Sequence, residues 1–169
     1  MEIKIFREVT DIKFIIREKM FTFSDKFTIK NETGEDCYFV WGEILCIGNK
    51  LHFEDKNGKE IFYIEQKLFT LLSEYDVYQN GELIAKIKRK FSFKPKFDIW
   101  GKFGEYELKG NIWAHEFSIE KDDMPVATVS KEWFTWTDTY GIDIFYDDNQ
   151  DFIIALVIII DQSIYDKNK

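Results

Sequence analysis

From residue 19 onward, apolar and polar positions alternate along most of the chain with a period of two. That period sends successive side chains to opposite faces, so each alternating run predicts a half-buried β-strand. Phe27 and Ile29 share one face of residues 26–30. Tyr75, Val77 and Gln79 alternate with Asp76 and Tyr78, and Leu83, Ala85 and Ile87 alternate with Lys86 and Lys88. Val126, Thr128 and Ser130 oppose Ala127, Val129 and Lys131, while Ile142, Ile144 and Tyr146 line one face of residues 141–146. Further strands are predicted at residues 19–23, 38–41, 51–53, 60–67, 105–108 and 116–119, after short elements at 2–8 and 11–17. Turn chemistry separates them: Asn31-Glu32-Thr33-Gly34, Asp55-Lys56-Asn57-Gly58, Asn80-Gly81 and Asp122-Asp123. Asn-Gly is the sharpest of these, because both residues tolerate positive φ. About a dozen short strands at this spacing predict an all-β sandwich or barrel, and the lack of βαβ alternation excludes a dinucleotide or P-loop fold.

One run breaks the alternation. Residues 152–160 are nine consecutive apolar residues. Such a run is too short to span a bilayer, which takes about 20. As a helix it would be apolar around its whole circumference, and therefore buried on every side. Asp148 or Asn149 offers a cap, and Asp151 falls in the first turn. As a strand it has the Ile and Val content that strands favour, and pattern alone leaves both readings open. Size connects the run to the strands. A helix with its side chains is about 10–12 Å across. An eight-stranded barrel holds only its own side chains or one small ligand, so a barrel that encloses a helix needs more strands, which about a dozen supplies.

A degenerate repeat runs through the strand series. It reads Phe, Thr or Ser, an apolar residue, three free positions, an aromatic, one free position and an aliphatic. It occurs as Phe21-Thr22-Phe23 with Phe27 and Ile29, and as Phe69-Thr70-Leu71 with Tyr75 and Val77. It recurs as Phe91-Ser92-Phe93 with Phe97 and Ile99, and as Phe134-Thr135-Trp136 with Tyr140 and Ile142. The unequal spacing excludes a solenoid. It predicts one corner used four times, in which a strand ends and the next begins with an aromatic facing the core.

Composition narrows the class. The 169 residues suffice for a single domain over 1–169, and 17 Phe, 8 Tyr and 5 Trp supply its core. Only 2 Pro and 9 Gly exclude a collagen-like or long disordered chain. A net charge of −8 opposes non-specific nucleic-acid binding. Cys37 and Cys46 read as an intracellular thiol pair within strands, and no secretory pattern opens the chain, so the cytoplasm is the expected location.

The charge is unevenly placed. Lys86, Lys88, Arg89, Lys90, Lys94, Lys96 and Lys102 face only Asp98 within residues 86–102, a local net charge of +6. Such a concentration focuses a field on an anionic partner such as a phosphorylated headgroup or an anionic leaflet, or else it solvates a sheet edge. Lys86, Lys88 and Lys90 share one strand face, with Arg89 on the other. His52 and His115 lack metal-site spacing, and neither cysteine carries a nucleophile signature. Asp138, Asp143, Asp147, Asp148 and Asp151 crowd the entry to the apolar run, where capping and turn chemistry account for them more simply than a cation. Trp41, Trp100, Trp113, Trp133 and Trp136 are expected mostly within the core. No catalytic group, metal or cofactor is expected.

Several stretches together resemble the LURP-one-related proteins of the tubby C-terminal-like group. They include Gly48-Asn49-Lys50-Leu51, Tyr75-Asp76-Val77-Tyr78, and Ala85-Lys86-Ile87 with Lys90-Phe91. The most distinctive is Val126-Ala127-Thr128-Val129-Ser130-Lys131-Glu132-Trp133-Phe134, followed by Asp138-Thr139-Tyr140-Gly141-Ile142-Asp143-Ile144 and the apolar run ending Ile160-Asp161. The resemblance implies a mainly β fold, a closed antiparallel barrel of about twelve strands around a buried apolar C-terminal helix at about 149–163. Tubby proteins bind phosphoinositides through surface basic residues, which supports the helix-filled barrel as a non-enzymatic binding or scaffold module. On this reading it docks on anionic phospholipid or phosphoinositide surfaces through the cluster at 86–102, as a cytoplasmic protein peripheral at the membrane. A protein–protein adaptor and a small-ligand enzyme with its site at a barrel mouth are the alternatives. Neither nucleic acid nor a transmembrane segment enters any of the three.

Overall fold

Each strand lies antiparallel to both its neighbours, and the last closes on the first. The computed structural model describes residues 12–17, 26–43, 47–131, 139–145 and 149–165. In chain order the strands are β1 (Ile12–Arg17), β2 (Phe27–Asn31), β3 (Asp36–Gly42), β4 (Lys50–Asp55), β5 (Glu60–Gln66) and β6 (Glu74–Gln79). They continue as β7 (Glu82–Lys90), β8 (Lys96–Gly101), β9 (Gly104–Asn111), β10 (Glu116–Lys121), β11 (Met124–Ser130) and β12 (Thr139–Ile144). A single 3-10 turn, Ile112–Ala114, links β9 to β10, and α1 (Gln150–Tyr165) follows β12. Neighbours in sequence are neighbours in the sheet, and β1 seals the barrel against β12 with Ile12 opposite Ile144 and Ile16 opposite Tyr140. The expected elements at 2–8 and 19–23 lie outside the described residues.

The apolar run is a helix, and it fills the barrel. Every residue from 152 to 164 is buried. The strand reading fails because the closed sheet has no free edge, whereas an all-round apolar cylinder matches a cavity lined by inward side chains from twelve strands. Phe62, Phe103 and Tyr106 pack on Phe152, with ring centroids 5.0–6.3 Å apart. The helix begins where Asn149 leaves its carbonyl for the Ile153 N–H at 3.1 Å.

A meander of this kind has two distinct ends. Connections from odd to even strands gather at one end, here called the upper rim; connections from even to odd strands gather at the lower rim. The helix enters at the lower rim beside Tyr38 and ends at the upper rim beside Asn49 and His115. The sequence repeat acquires a meaning from this. Phe27, Tyr75, Phe97 and Tyr140 all point into the core, and each opens an even-numbered strand that descends from the upper rim. The expected shared corner is present in its second half in all four copies.

Turn chemistry holds as well: Asn80 and Gly81 both adopt positive φ, 53° and 80°. Two expectations need correction. Leu83 was expected inside, but the β6–β7 register slips so that Val77 faces Ala85 while Tyr78 faces Leu83. Ile84 is the extra residue of this bulge, so Ile84 and Ala85 are both buried and Leu83 is exposed. The described tryptophans were expected in the core. Trp100 and Trp113 instead stand half exposed on the outer wall, and Trp41 lies outside with its Nε1–H bonded to Glu54 at 2.7 Å. Phe and Tyr supply the aromatic side chains of the interior. Trp133 and Trp136 lie outside the described residues.

Candidate functional site

The basic hairpin β7–β8 does not form one patch. Lys86, Lys88 and Lys90 point outward along β7 as their parity requires, and each meets an acid on a neighbouring strand. Lys86 lies 3.8 Å from Asp76 and 5.9 Å from the Trp100 ring centre, Lys88 lies 3.7 Å from Glu74, and Lys90 lies 2.8 Å from Asp98. Asp76 is buried under Lys86, Lys67 at 3.5 Å and the Tyr78 hydroxyl, which donates to it at 3.4 Å. Proximity to Asp76 raises the Lys67 ammonium above its ordinary range. Arg89 turns the other way, into the upper mouth. Its Nη1 donates to the Ser163 carbonyl at 2.9 Å, and its guanidinium lies 5.7 Å from the Trp113 ring centre. Lys102 sits in the β8–β9 turn at the lower rim, over Phe103 at 5.9 Å.

Lys94 and Lys96 differ from the other basic residues at the upper end of the hairpin. Both are exposed at the upper end of the hairpin, and neither forms an ion pair among the described residues. Lys96 stands directly opposite Lys90 across β7–β8. Like charges in that position disfavour the sheet, and Asp98 relieves only Lys90. No acid occurs between residues 86 and 97.

The wall beside the hairpin has the opposite sign. A groove of about 750 Å³ along β8 and β9 is lined by Asp98, Glu105, Glu107, Glu120, Asp122 and Asp123 next to Lys90 and Lys96. Carboxylates of Glu107, Glu120 and Asp123 come within 4.8 Å of one another. Lys109 neutralises part of this group through Glu107 and Glu120, and its ammonium is pushed up chiefly by the hydrogen bond to Glu120. Sequence spacing gave no sign of this group, because strand pairing and a hairpin turn bring its members together. The groove therefore repels an anion.

The remaining candidates are engaged in structural contacts. His52 lies between Glu43 and Glu60 and stacks on Trp41 at 3.9 Å. His115 is buried at the upper mouth, with Nε2 2.6 Å from Asp161 and its ring stacked on Tyr140 at 4.4 Å. The two histidines do not converge. At the lower mouth a cleft of about 670 Å³ opens over the start of α1, lined in part by Tyr38, Gln150 and Asp151. The Tyr38 hydroxyl donates to Asp151 at 2.6 Å and accepts from Gln150 at 2.7 Å, and burial together with Asp151 raises its phenol above the usual range. Asp143 pairs with Lys13 at 3.4 Å. Cys37 is half-buried on β3 and burial pushes its thiol up. Cys46, Asp138, Asp147 and Asp148 lie outside the described residues.

A family model described as LURP-one-related matches residues 12–161. An uncharacterised protein of Bacillus subtilis, YxjI, is 32% identical over 155 residues, which cover 91% of this chain and 94% of YxjI. The X-ray structure of a protein from Arabidopsis thaliana superposes with a TM-score of 0.68 at 18% identity, covering 90% of each chain. That identity speaks to the fold alone. Among the described residues, no helix is long and apolar enough to cross a membrane.

Proposed function

The chain belongs to the LURP-one-related family, and on that premise we propose that it is a non-enzymatic binding module that docks reversibly on anionic phospholipid surfaces. The observation that carries this reading is the state of Lys94 and Lys96. They are exposed, lack an acidic partner among the described residues, and cap a hairpin in which Lys90 and Lys96 face each other. Anionic headgroups relieve that repulsion, and each cation near such a surface contributes about 1 kcal/mol. The helix occupies the barrel interior, where a small-ligand enzyme of barrel type would keep its cavity.

The test is co-sedimentation of the full chain with vesicles of phosphatidylcholine alone, with added phosphatidylglycerol, and with added phosphoinositide, each at low and high salt. The expected result is binding to both anionic mixtures, weakened by salt and reduced in a Lys94→Gln, Lys96→Gln variant. A preference for phosphoinositide over an equal charge of phosphatidylglycerol would identify headgroup recognition. Binding that ignores salt, or no binding to either anionic mixture, would overturn the reading and favour a protein partner.

A further inference from the structure

The upper rim holds large apolar side chains out in water. Phe69 and Phe93 are 104% and 106% exposed, as open as in an extended chain, and Phe91 and Leu71 stand at 91% and 87%. Folding gains nothing from side chains placed this way, and a cluster of them marks a contact surface. Phe69 also holds φ at 61°, a region that bulky residues avoid. These four residues form the first halves of two copies of the sequence repeat. One copy is on the β5–β6 connection and the other on the β7–β8 connection. The two connections are adjacent around the rim because β6 pairs with β7, and the Arg89 N–H ties them by donating to the Ser73 carbonyl at 2.9 Å. On the far side of β5–β6, Leu68 lies so close to Gly48 that a Cβ there would come within 2.8 Å of its Cδ2. That contact extends the apolar edge to Ile47, 79% exposed on the β3–β4 connection. The other two copies of the repeat begin outside the described residues.

Charge identifies what covers this edge. Residues 67–73 and 86–97 contain Lys67, Lys86, Lys88, Arg89, Lys90, Lys94 and Lys96 and no acid; Asp76, Glu74 and Asp98 pair Lys67, Lys86, Lys88 and Lys90, and Arg89 faces the mouth, so Lys94 and Lys96 are the open cations beside the apolar edge. Apolar tips projecting beside the exposed Lys94 and Lys96 match a lipid interface. The tips reach below the headgroups, by about 5–10 Å for an interfacial element, while lysines extend to the phosphates. A folded protein partner would instead seat on a contiguous, pocketed patch.

We propose that the upper rim is a bilayer-insertion face, on which Phe69, Leu71, Phe91 and Phe93 enter an anionic membrane while Lys94 and Lys96 hold headgroup phosphates. This rests on the docking reading above and gives it an orientation: the barrel stands on its upper rim with the C-terminal end of α1 toward the lipid. Two weak signals, tips and cations, together give firm binding where either alone is marginal.

The experiment places an environment-sensitive nitrobenzoxadiazole probe on the full chain at Phe93→Cys, and separately at Asn57→Cys on the lower rim, with Cys37→Ser and Cys46→Ser in both. Circular dichroism checks that each variant is folded. Vesicles of phosphatidylcholine and phosphatidylglycerol should raise and blue-shift the emission at position 93 and leave position 57 unchanged. Unlabelled Phe91→Ser, Phe93→Ser protein should partition about tenfold less while keeping the wild-type salt dependence. If the wild type binds these vesicles but the probe at 93 is unaffected and the serine variant binds as well as wild type, docking stands and insertion is overturned. If the wild type binds no anionic vesicle, both fall. A lipid-free dimer abolished by the serine changes would assign the rim to self-association and overturn insertion.

Discussion

Arg89 on β7 and Ser163 in the last turn of α1 are 74 residues apart in sequence and joined by a 2.9 Å hydrogen bond from Nη1 to the carbonyl oxygen. The last turn of α1 has no basic residue of its own. The wall therefore supplies the cation that the helix end lacks, with the guanidinium 5.7 Å over the Trp113 ring centre.

Replacing that cation separates fold from docking. Arg89→Gln should lower stability by about 1–2 kcal/mol in urea denaturation, because a partly buried helix-end interaction is lost. Vesicle binding by the folded variant should be nearly unchanged, since the guanidinium is committed to the interior. A variant as stable as wild type that binds vesicles poorly would reverse the assignment.

The helix itself makes a sharper prediction. Ile158 is fully buried at the centre of the barrel. Ile158→Asp places an unpaired charge there and should cost more than about 4 kcal/mol, enough to abolish the cooperative unfolding transition. Ile158→Val should cost only about 1 kcal/mol. A folded, monomeric aspartate variant, read by circular dichroism and sedimentation, would refute the burial of this helix.

One outer-wall network predicts a pH dependence. The Glu54 carboxyl is held below its ordinary range, first by the hydrogen bond from Lys26 at 2.8 Å and also by the Trp41 Nε1–H, against an opposing effect of burial. A pKa lower in the folded than in the unfolded state means that unfolding takes up protons between the two values. The contribution is full above the unfolded value of about 4.3 and is lost as pH falls through the folded value. Glu54→Gln should therefore lower the urea midpoint at pH 7 by the equivalent of about 1 kcal/mol, discounted for partial exposure, and the gap to wild type should close in acid. A gap that widens in acid would contradict the assignment.

What the sequence made legible was whatever a local rule determines. Nine apolar residues in a row required a place without water, and the strand count offered one. Asn80-Gly81 announced its turn, and the aromatic–x–aliphatic half of the repeat announced where four strands enter the core. What was hidden depends on partners distant in the chain. Leu83 and Ile84 exchange places because of a bulge set against Val77 and Tyr78, and no pattern within β7 encodes it. Asp76 reads as a solvated polar position, yet Lys67 and Lys86 close over it from either side. The basic cluster was visible as composition, but strand length and pairing decided that Lys102 lies at the rim opposite Lys94. The exposed Phe91 and Phe93 were the least legible, because apolar residues beside a strand are ordinarily taken for core.

The position of α1 in chain order has a consequence for how the molecule is made. Every strand leaves the ribosome before the segment they enclose. Until residues 150–165 emerge, twelve half-apolar strands have a wall and no filling, and β1 waits for a partner more than 120 residues downstream. Closure and filling must then come together after synthesis of the helix, a long-range step that is slow for such topologies and leaves sticky strands unprotected in the interval. A ribosome stalled just before residue 150 should carry a chain that proteases cut freely, whereas the released 169-residue chain should resist them.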